Sequence, residues 1–254
     1  MRVDRQAIDA IVLDIEGTTT SIAFVYDVLF PFARRHLRGF LREHRATPAL
    51  ADLIVQLEFE WADDVARGEA PPPWIPSGGP EVLRDADVLL VAAYVEWLMD
   101  RDRKSPALKR LQGLIWQRGY QAGELTSDLF ADVRPALERW RASEIPLAIY
   151  SSGSALAQRL LFGHTREGDL TPLITAFFDT DVGPKTSPES YRRIAAALSV
   201  LPERLLFVSD AAKEIAAARD AGCQTALVVR PGNPIQALPL PTDVVRSFDE
   251  IVVS

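Results

Sequence analysis

The chain has almost no soft metal ligands. Its 254 residues hold one cysteine, Cys223, and three histidines, His36, His44 and His164, scattered without the spacing of a zinc site. One cysteine excludes an intrachain disulfide and fits a reducing, cytoplasmic compartment. Long apolar runs are also missing. The longest, residues 88–95, falls far short of the ~18 needed to span a bilayer. Residues 1–10 carry acids before any apolar stretch develops, so no signal peptide is expected. An excess of basic residues is absent too. With 28 Lys and Arg against 35 Asp and Glu, the net charge is −7. That argues against nucleic acid and against an anionic membrane, both of which need a basic face. A chain of 254 residues at roughly 150 per domain makes one or two domains and buries its own core. What remains for chemistry is carboxylates, hydroxyls and lysines. Any metal must then be a hard one held by oxygen.

Two textures alternate along the chain. Residues 10–13 form a short β-branched run that ends at Asp14 and meets a Gly-Thr turn, the pattern of a buried strand. Helical spacing then takes over. It places Ala33, Leu37, Phe40 and Leu41 on one face, then Leu50, Leu53, Ile54, Leu57, Trp61 and Val65 on another. A third helix is predicted from Val82, Leu83, Ala86, Leu90, Ala93, Tyr94, Trp97 and Leu98, and a fourth from Leu108, Leu111, Leu114 and Ile115. The prolines and glycines of residues 68–80 forbid regular structure between the second and third. After about residue 128, strands predicted at 146–150, 176–180, 205–209 and 225–229 alternate with helices, one of them opened by Ser187 and Pro188. Such alternation implies a parallel sheet covered on both faces. The expected organisation is an α/β core of residues 1–19 and 128–254, interrupted after its first strand by a helical insertion of residues 20–127.

Ligands of open parallel sheets sit at the carboxyl ends of the strands. The first strand ends in Asp14-Ile15-Glu16-Gly17-Thr18, and alternation along an extended segment points Asp14 and Glu16 the same way. The second ends in Ser151-Ser152-Gly153-Ser154 at a helix start, where hydroxyls and free N–H groups suit a phosphate. Lys185 follows the third, and Ser209-Asp210 with Glu214 follow the fourth. Each residue alone has an ordinary explanation as a cap, a turn or a solvated charge. Their succession at strand ends is the set needed for phosphoryl transfer through an aspartyl-phosphate. Asp14 and Asp210 can hold Mg²⁺, Ser151, Ser152 and Lys185 can neutralise the phosphoryl oxygens, and Glu16 can act as acid and base.

DIEGT resembles the first motif of the haloacid dehalogenase superfamily, usually Asp-x-Asp-x-Thr, and SSGS, Lys185 and SDAAKE resemble the motifs that follow. More narrowly, IVLDIEGTTTSIAFVYDVLFPFAR, IYSSGSALAQRLLFGHTREGDL, FDTDVGPKTSPESYRRIA and VVRPGN are similar to the enolase-phosphatase E1 family. The resemblance implies a doubly wound, Rossmann-like core with a helical cap in the insertion. It implies a Mg²⁺-dependent enzyme of methionine salvage acting on a small diketo phosphate ester. Asp14 would be nucleophile and metal ligand. Glu16 would be acid/base, with its carbonyl reaching the metal. Ser151, Ser152 and Lys185 would bind phosphate, and Asp210 would complete the metal site. Glu16 departs from the superfamily's usual Asp and matches the narrower family.

Phe24, Val25 and Tyr26, just after the first motif, are expected near the entrance, where some of them would contact the substrate's apolar end. Most of the cap's Trp and Phe residues are expected simply to form the core of its helix bundle. Three other functions use similar parts. A phospho-acceptor receiver module combines acids, a hydroxyl and a lysine, but the insertion after the first strand argues against it. A generic sugar-phosphate phosphatase and a phosphonate hydrolase fit the superfamily; the latter wants a cap lysine, and Lys104 and Lys109 both sit among charges. A monomer is expected, since no uncovered apolar stripe stands out. Residues 20–127 carry 13 basic and 15 acidic side chains, and the rest 15 and 20, so the phosphate-binding part is the more acidic one. Capture of a phosphate must therefore be local, through Mg²⁺ and Lys185.

Overall fold

A computed structural model describes residues 3–5, 8–74, 83–234 and 243–253. The residues of the proline loop from 75 to 80, and Val82, lie outside the described residues. The chain divides into two compact units, Met1–Asp27 with Gly123–Ser254, and Val28–Ala122.

The first unit is built on a six-stranded sheet of β2 (Ala10–Leu13), β3 (Leu147–Tyr150), β4 (Ala176–Phe178), β5 (Leu205–Ser209), β6 (Gln224–Val228) and β7 (Val244–Val245). A separate parallel pair joins β1 (Val3–Arg5) to β8 (Ile251–Val253). The six-stranded order is β4-β3-β2-β5-β6-β7, and every pairing is parallel. β2 is central, with Leu13 facing Ile149 of β3 on one side and Val208 of β5 on the other. The chain leaves β2 toward β3 and β4, then returns to build outward through β5. That reversal makes the carboxyl end of β2 the switch point where ligands bind. β2, β3 and β5 are buried at every position, which is why they read as unbroken apolar runs. The helices of this unit are α5 (Val133–Ala142), α6 (Ala155–Gly163), α7 (Pro188–Ala197) and α8 (Ala212–Asp220). Tyr150, Tyr191 and Phe207 form an aromatic cluster inside, with Tyr191 and Phe207 centroids 4.9 Å apart. Each fully buried side chain of this size contributes about 1.5–3 kcal/mol.

Residues 20–27 and 123–127, expected in the insertion, belong to this unit. Backbone bridges explain it: Thr20 pairs with Glu16 and Leu129, and Ser127 with Thr165. Phe24–Leu29 form a π-helical stretch that no periodicity announced.

The second unit contains α1 (Phe30–Glu43), α2 (Pro48–Ala66), α3 (Asp85–Asp100) and α4 (Pro106–Gln121). α2 and α4 open on Thr47 and Ser105, whose hydroxyls accept from the N–H groups of Leu50 and Leu108, each followed by a proline. On α1 the expected face is buried. On α2 the pattern breaks, because Asp64 is buried while Val65 is exposed. Val55 and Phe59 of the same helix are also exposed, an apolar set that the sequence reading did not anticipate. On α3, Ala86 is exposed, and the buried side runs from Val88 through Leu98. Among the described residues no helix is long and apolar enough to cross a membrane.

Candidate active site

Asp14 follows β2 and is 4% exposed. Its backbone N–H still donates to the Val208 carbonyl, at 2.9 Å, so the backbone that carries the carboxylate is fixed by the sheet itself. The chain then turns tightly. The Ile15 carbonyl accepts from the N–H groups of Thr18, Thr19 and Thr20, and Gly17 takes φ +69°. Three residues from elsewhere in the chain hold this turn. The Asp210 N–H donates to Thr18 Oγ1 at 3.0 Å, Asn233 Nδ2 to the Gly17 carbonyl at 2.9 Å, and the buried Arg230 guanidinium to the Thr18 carbonyl at 3.2 Å.

Lys185 reaches into the same strand ends. Its ammonium pairs with an Asp14 oxygen and lies 2.7 Å from Glu214 Oε2. Ser209 Oγ sits between the two acids, 2.9 Å from Glu214 Oε2 and 3.2 Å from Asp14 Oδ2, and accepts from the Ala211 N–H. Burial works against the charge on Lys185, but Asp14 and Glu214 outweigh it and push the ammonium upward. Burial and then the Asp14 charge push Glu214 up to about 7. Burial, Asp14 and Glu214 push Asp210 up to about 7 as well. Asp14 and Glu214 pair with the Lys185 ammonium, and Asp210 and Glu16 add their charges close by, an accumulation of negative charge that suits a further cation.

The arrangement fits Mg²⁺. Among the described residues no three His, Cys, Asp or Glu side chains converge as a closed cage. Mg²⁺ needs only one or two carboxylates, because it keeps several waters and substrate oxygens. The Asp210 carboxylate lies against the Glu16-Gly17 turn so closely that a methyl group at Gly17 would collide with Oδ2 and stand 2.7 Å from Cγ. Hard oxygen donors from the ends of β2 and β5 are therefore packed together.

Above these groups opens a cleft of about 470 Å³. Its wall contains all six residues singled out from the sequence, Asp14, Glu16, Ser151, Ser152, Lys185 and Asp210. Glu214 lies there too, and Ile22, Tyr26 and Pro234 supply an apolar side. Ser151 is buried and accepts the Gly153 N–H at 3.1 Å, while Ser152 is exposed to the cleft. Not every N–H at the start of α6 is free. That of Ala155 donates to Asp179 and that of Ala157 to Ser154. Of the three residues expected at the entrance, Phe24 and Val25 are buried, and only Tyr26 is on the cleft wall. Sequence reasoning did not single out Thr18, Asn233 or Arg230 as supports of the turn. The last two lie in the VVRPGN block, whose side chains gave no hint of a partner more than 200 positions away.

A parallel sheet with a buried Asp at the switch point, a lysine on that Asp and acids after β5 defines a hydrolase of the haloacid dehalogenase type. The haloacid dehalogenase-like hydrolase family model matches residues 8–222. The chain is 44% identical to "Enolase-phosphatase E1" of Synechococcus elongatus over 96% of its length and 98% of that protein's. It is 42% identical to the Pseudomonas aeruginosa protein of that name, over 97% and 99%. With the Drosophila melanogaster protein of that name, identity is 43% over 88% and 84%. The chain belongs to the enolase-phosphatase E1 family of haloacid dehalogenase-like hydrolases. Among solved structures, the UTR4 protein of Saccharomyces cerevisiae matches with TM-score 0.75 and 28% identity, over 95% of this chain and 99% of that one. CbbY of Rhodobacter sphaeroides, solved with phosphate, shares the fold at TM-score 0.53 and 18% identity, over 96% of each chain.

Proposed function

We propose that the chain is a bifunctional enolase-phosphatase of methionine salvage. It enolises 2,3-diketo-5-methylthiopentyl-1-phosphate, then hydrolyses the enol phosphate to 1,2-dihydroxy-3-keto-5-methylthiopentene and phosphate. The observation that carries the reading is the placement of Lys185 on Asp14 and Glu214 at the floor of a cleft that also exposes Ser152 and Glu16.

In this reading an Asp14 carboxylate oxygen attacks phosphorus and the ester oxygen leaves. Glu16, at the cleft wall, gives that oxygen a proton, so the product departs as a neutral enol. The Glu16 carboxylate then takes a proton from water, whose oxygen attacks the aspartyl-phosphate and restores Asp14. Ser151, Ser152 and Lys185 hold the phosphoryl oxygens on which charge collects. Asp14, Asp210 and the Glu16 carbonyl would hold Mg²⁺, which supplies positive charge beside those oxygens. The apolar wall of Ile22, Tyr26 and Pro234 suits the methylthio end of the substrate. A monomer is kept as the working unit, and the lone Cys223 fits a reducing compartment such as the cytoplasm.

Supplying the diketo phosphate with Mg²⁺ and following enol absorbance and free phosphate together tests the reading. Both signals are expected, the enol first. Phosphate release from many small phosphates with no preference for the diketone would reduce the function to a general phosphatase. In Glu16→Asp, unequal loss of the two half-reactions is expected, because the carboxylate is withdrawn by one methylene.

A further inference from the structure

The segment 179–187, between β4 and α7, carries Lys185 but belongs to no strand or helix. Its backbone has a fixed course all the same. Three consecutive carbonyls, those of Gly183, Pro184 and Lys185, each accept a hydrogen bond from a side-chain hydroxyl. Tyr150 donates to Gly183 at 2.8 Å, Ser190 to Pro184 at 2.9 Å, and Tyr191 to Lys185 itself at 2.6 Å. A carbonyl only accepts, so all three hydroxyls must donate. All three residues are buried, Tyr150 and Tyr191 fully and Ser190 to 1% exposure. Gly183 has φ +131°, and a methyl group there would collide with Ser190 Oγ, so backbone and hydroxyl are in close contact.

The three donors come from the two elements that frame the site. Tyr150 is the last residue of β3, directly before Ser151, and its ring centroid is 5.8 Å from Lys185 Nζ. Ser190 and Tyr191 stand in the first turn of α7. Tyr150 and Tyr191 also pack edge to face, centroids 5.6 Å apart. The lysine's backbone is therefore tied to the strand that presents Ser151 and to the helix that follows. A lysine side chain has four rotatable bonds and no geometry of its own, so the place of its ammonium depends on where its backbone is held.

We propose that Tyr150, Ser190 and Tyr191 are positioning residues for Lys185, fixing the backbone from which its ammonium reaches Asp14 and the phosphoryl oxygens. This rests on the reading of Lys185 as a phosphate ligand. Burial pushes both phenols upward, which keeps them as donors across the working pH range. None of the three lines the cleft, and their hydroxyls act through the loop.

The test is a comparison of Tyr150→Phe, Tyr191→Phe and Ser190→Ala with Lys185→Met, using the full chain with Mg²⁺ and inorganic phosphate in a calorimeter. The phenylalanines keep the aromatic cluster and delete only the hydroxyl, and Ser190→Ala is the mildest change should a tyrosine variant fold poorly. Each is expected to weaken phosphate about fivefold, the scale of one lost hydrogen bond. The weakening is expected to vanish when each change is combined with Lys185→Met, whose own loss is larger. A purely structural role would shift the melting temperature without changing phosphate affinity, or would weaken phosphate equally with and without the lysine. Either result overturns the inference. Should Lys185→Met leave phosphate affinity unchanged, the phosphate-ligand reading falls and takes this one with it. Should Lys185→Met weaken phosphate while the hydroxyl variants do not, the inference alone falls.

Discussion

Gly17 holds φ +69° and packs against Asp210 so tightly that an added methyl group would stand 2.7 Å from the Asp210 Cγ and collide with its Oδ2. Both costs of a side chain fall on one atom. The left-handed backbone disfavours any L residue by roughly 1–2 kcal/mol, and the new Cβ must push the carboxylate aside. Gly17→Ala is therefore expected to lower kcat/KM by about 10²-fold, the scale of an ångström's misplacement in a catalytic group. A raised Mg²⁺ requirement should accompany it, read from the metal dependence of initial rates. Unchanged metal dependence would show that Asp210 tolerates the displacement.

Asp14→Asn removes the proposed nucleophile and one of the charges crowding Glu214 and Asp210. Phosphatase turnover should fall by on the order of 10⁶-fold, as when other covalent nucleophiles are deleted. Stability should not follow. Glu214 keeps Lys185 paired at 2.7 Å, and the repulsion that lifts Glu214 and Asp210 to about 7 is relieved. A melting temperature at neutral pH no lower than the parent's is expected. A marked drop would mean that the Lys185–Asp14 contact is structural first.

Much of this site was legible because its parts lie at strand ends. β2 and β5 match the predicted strands residue for residue, since runs such as Ala10–Leu13 are buried on both faces and leave polar residues only at their termini. Asp14 and Asp210 could be found that way. The supports of the site were hidden for the opposite reason. Arg230 reaches the carbonyl of Thr18 and Tyr191 that of Lys185, and a backbone acceptor has no residue identity to read in a sequence. The peripheral strands β1, β7 and β8 were too short to show a period. On α2 the rule failed on chemistry. Asp64 lies seven residues after Leu57, on the buried face, and hydropathy favoured its neighbour Val65.

Asp132 gives the first unit an acid-sensitive joint. Its Oδ2 accepts from Arg230 at 2.7 Å, the Phe248 N–H at 2.6 Å and Ser247 at 3.0 Å. Burial alone would raise this carboxyl, but Arg230, the Phe248 N–H and Ser247 together hold it below the usual range. A lowered folded value means stability that is present above the unfolded value, near 3.9, and is lost as pH falls through the folded one. Urea unfolding from pH 7 down to pH 3 should therefore lose less stability with falling pH in Asp132→Asn than in the parent. At pH 7 the variant should be weaker by about 3 kcal/mol, because Arg230 is left buried without its partner. Parallel pH profiles would sink this assignment.

Cys223 is buried, and its thiol is pushed up to about 11, first by burial, with Glu203 adding to it and Arg192 opposing. The thiolate is the reactive form. At pH 8 a thiol reagent should modify the folded chain about 10²-fold more slowly than the chain in denaturant. Activity should survive the exposure, since Cys223 is no part of the cleft. Rapid modification of the native protein would contradict the burial.

Among the described residues Asp64 is the buried acid of the second unit, 1% exposed, and its partners make it a sensitive polar position. Arg103 pairs with Oδ1, Arg67 lies 2.6 Å from that oxygen, and the Tyr94 hydroxyl donates to Oδ2 at 2.8 Å. The partners differ in what they lose. The Arg67 side chain is 57% exposed and can turn to water, whereas Arg103 is 31% exposed and Tyr94 is fully buried. Asp64→Ala is expected to cost about 3–5 kcal/mol, the penalty for stranding buried partners. Arg67→Ala should leave the unfolding midpoint nearly unchanged, as an exposed member of an ion pair. Four of the five tryptophans, Trp61, Trp74, Trp97 and Trp116, belong to this unit, so tryptophan fluorescence during urea unfolding reports on it directly. Equal effects of the two substitutions would mean that Asp64 is sustained by its exposed partner and not by the buried pair with Arg103 and Tyr94.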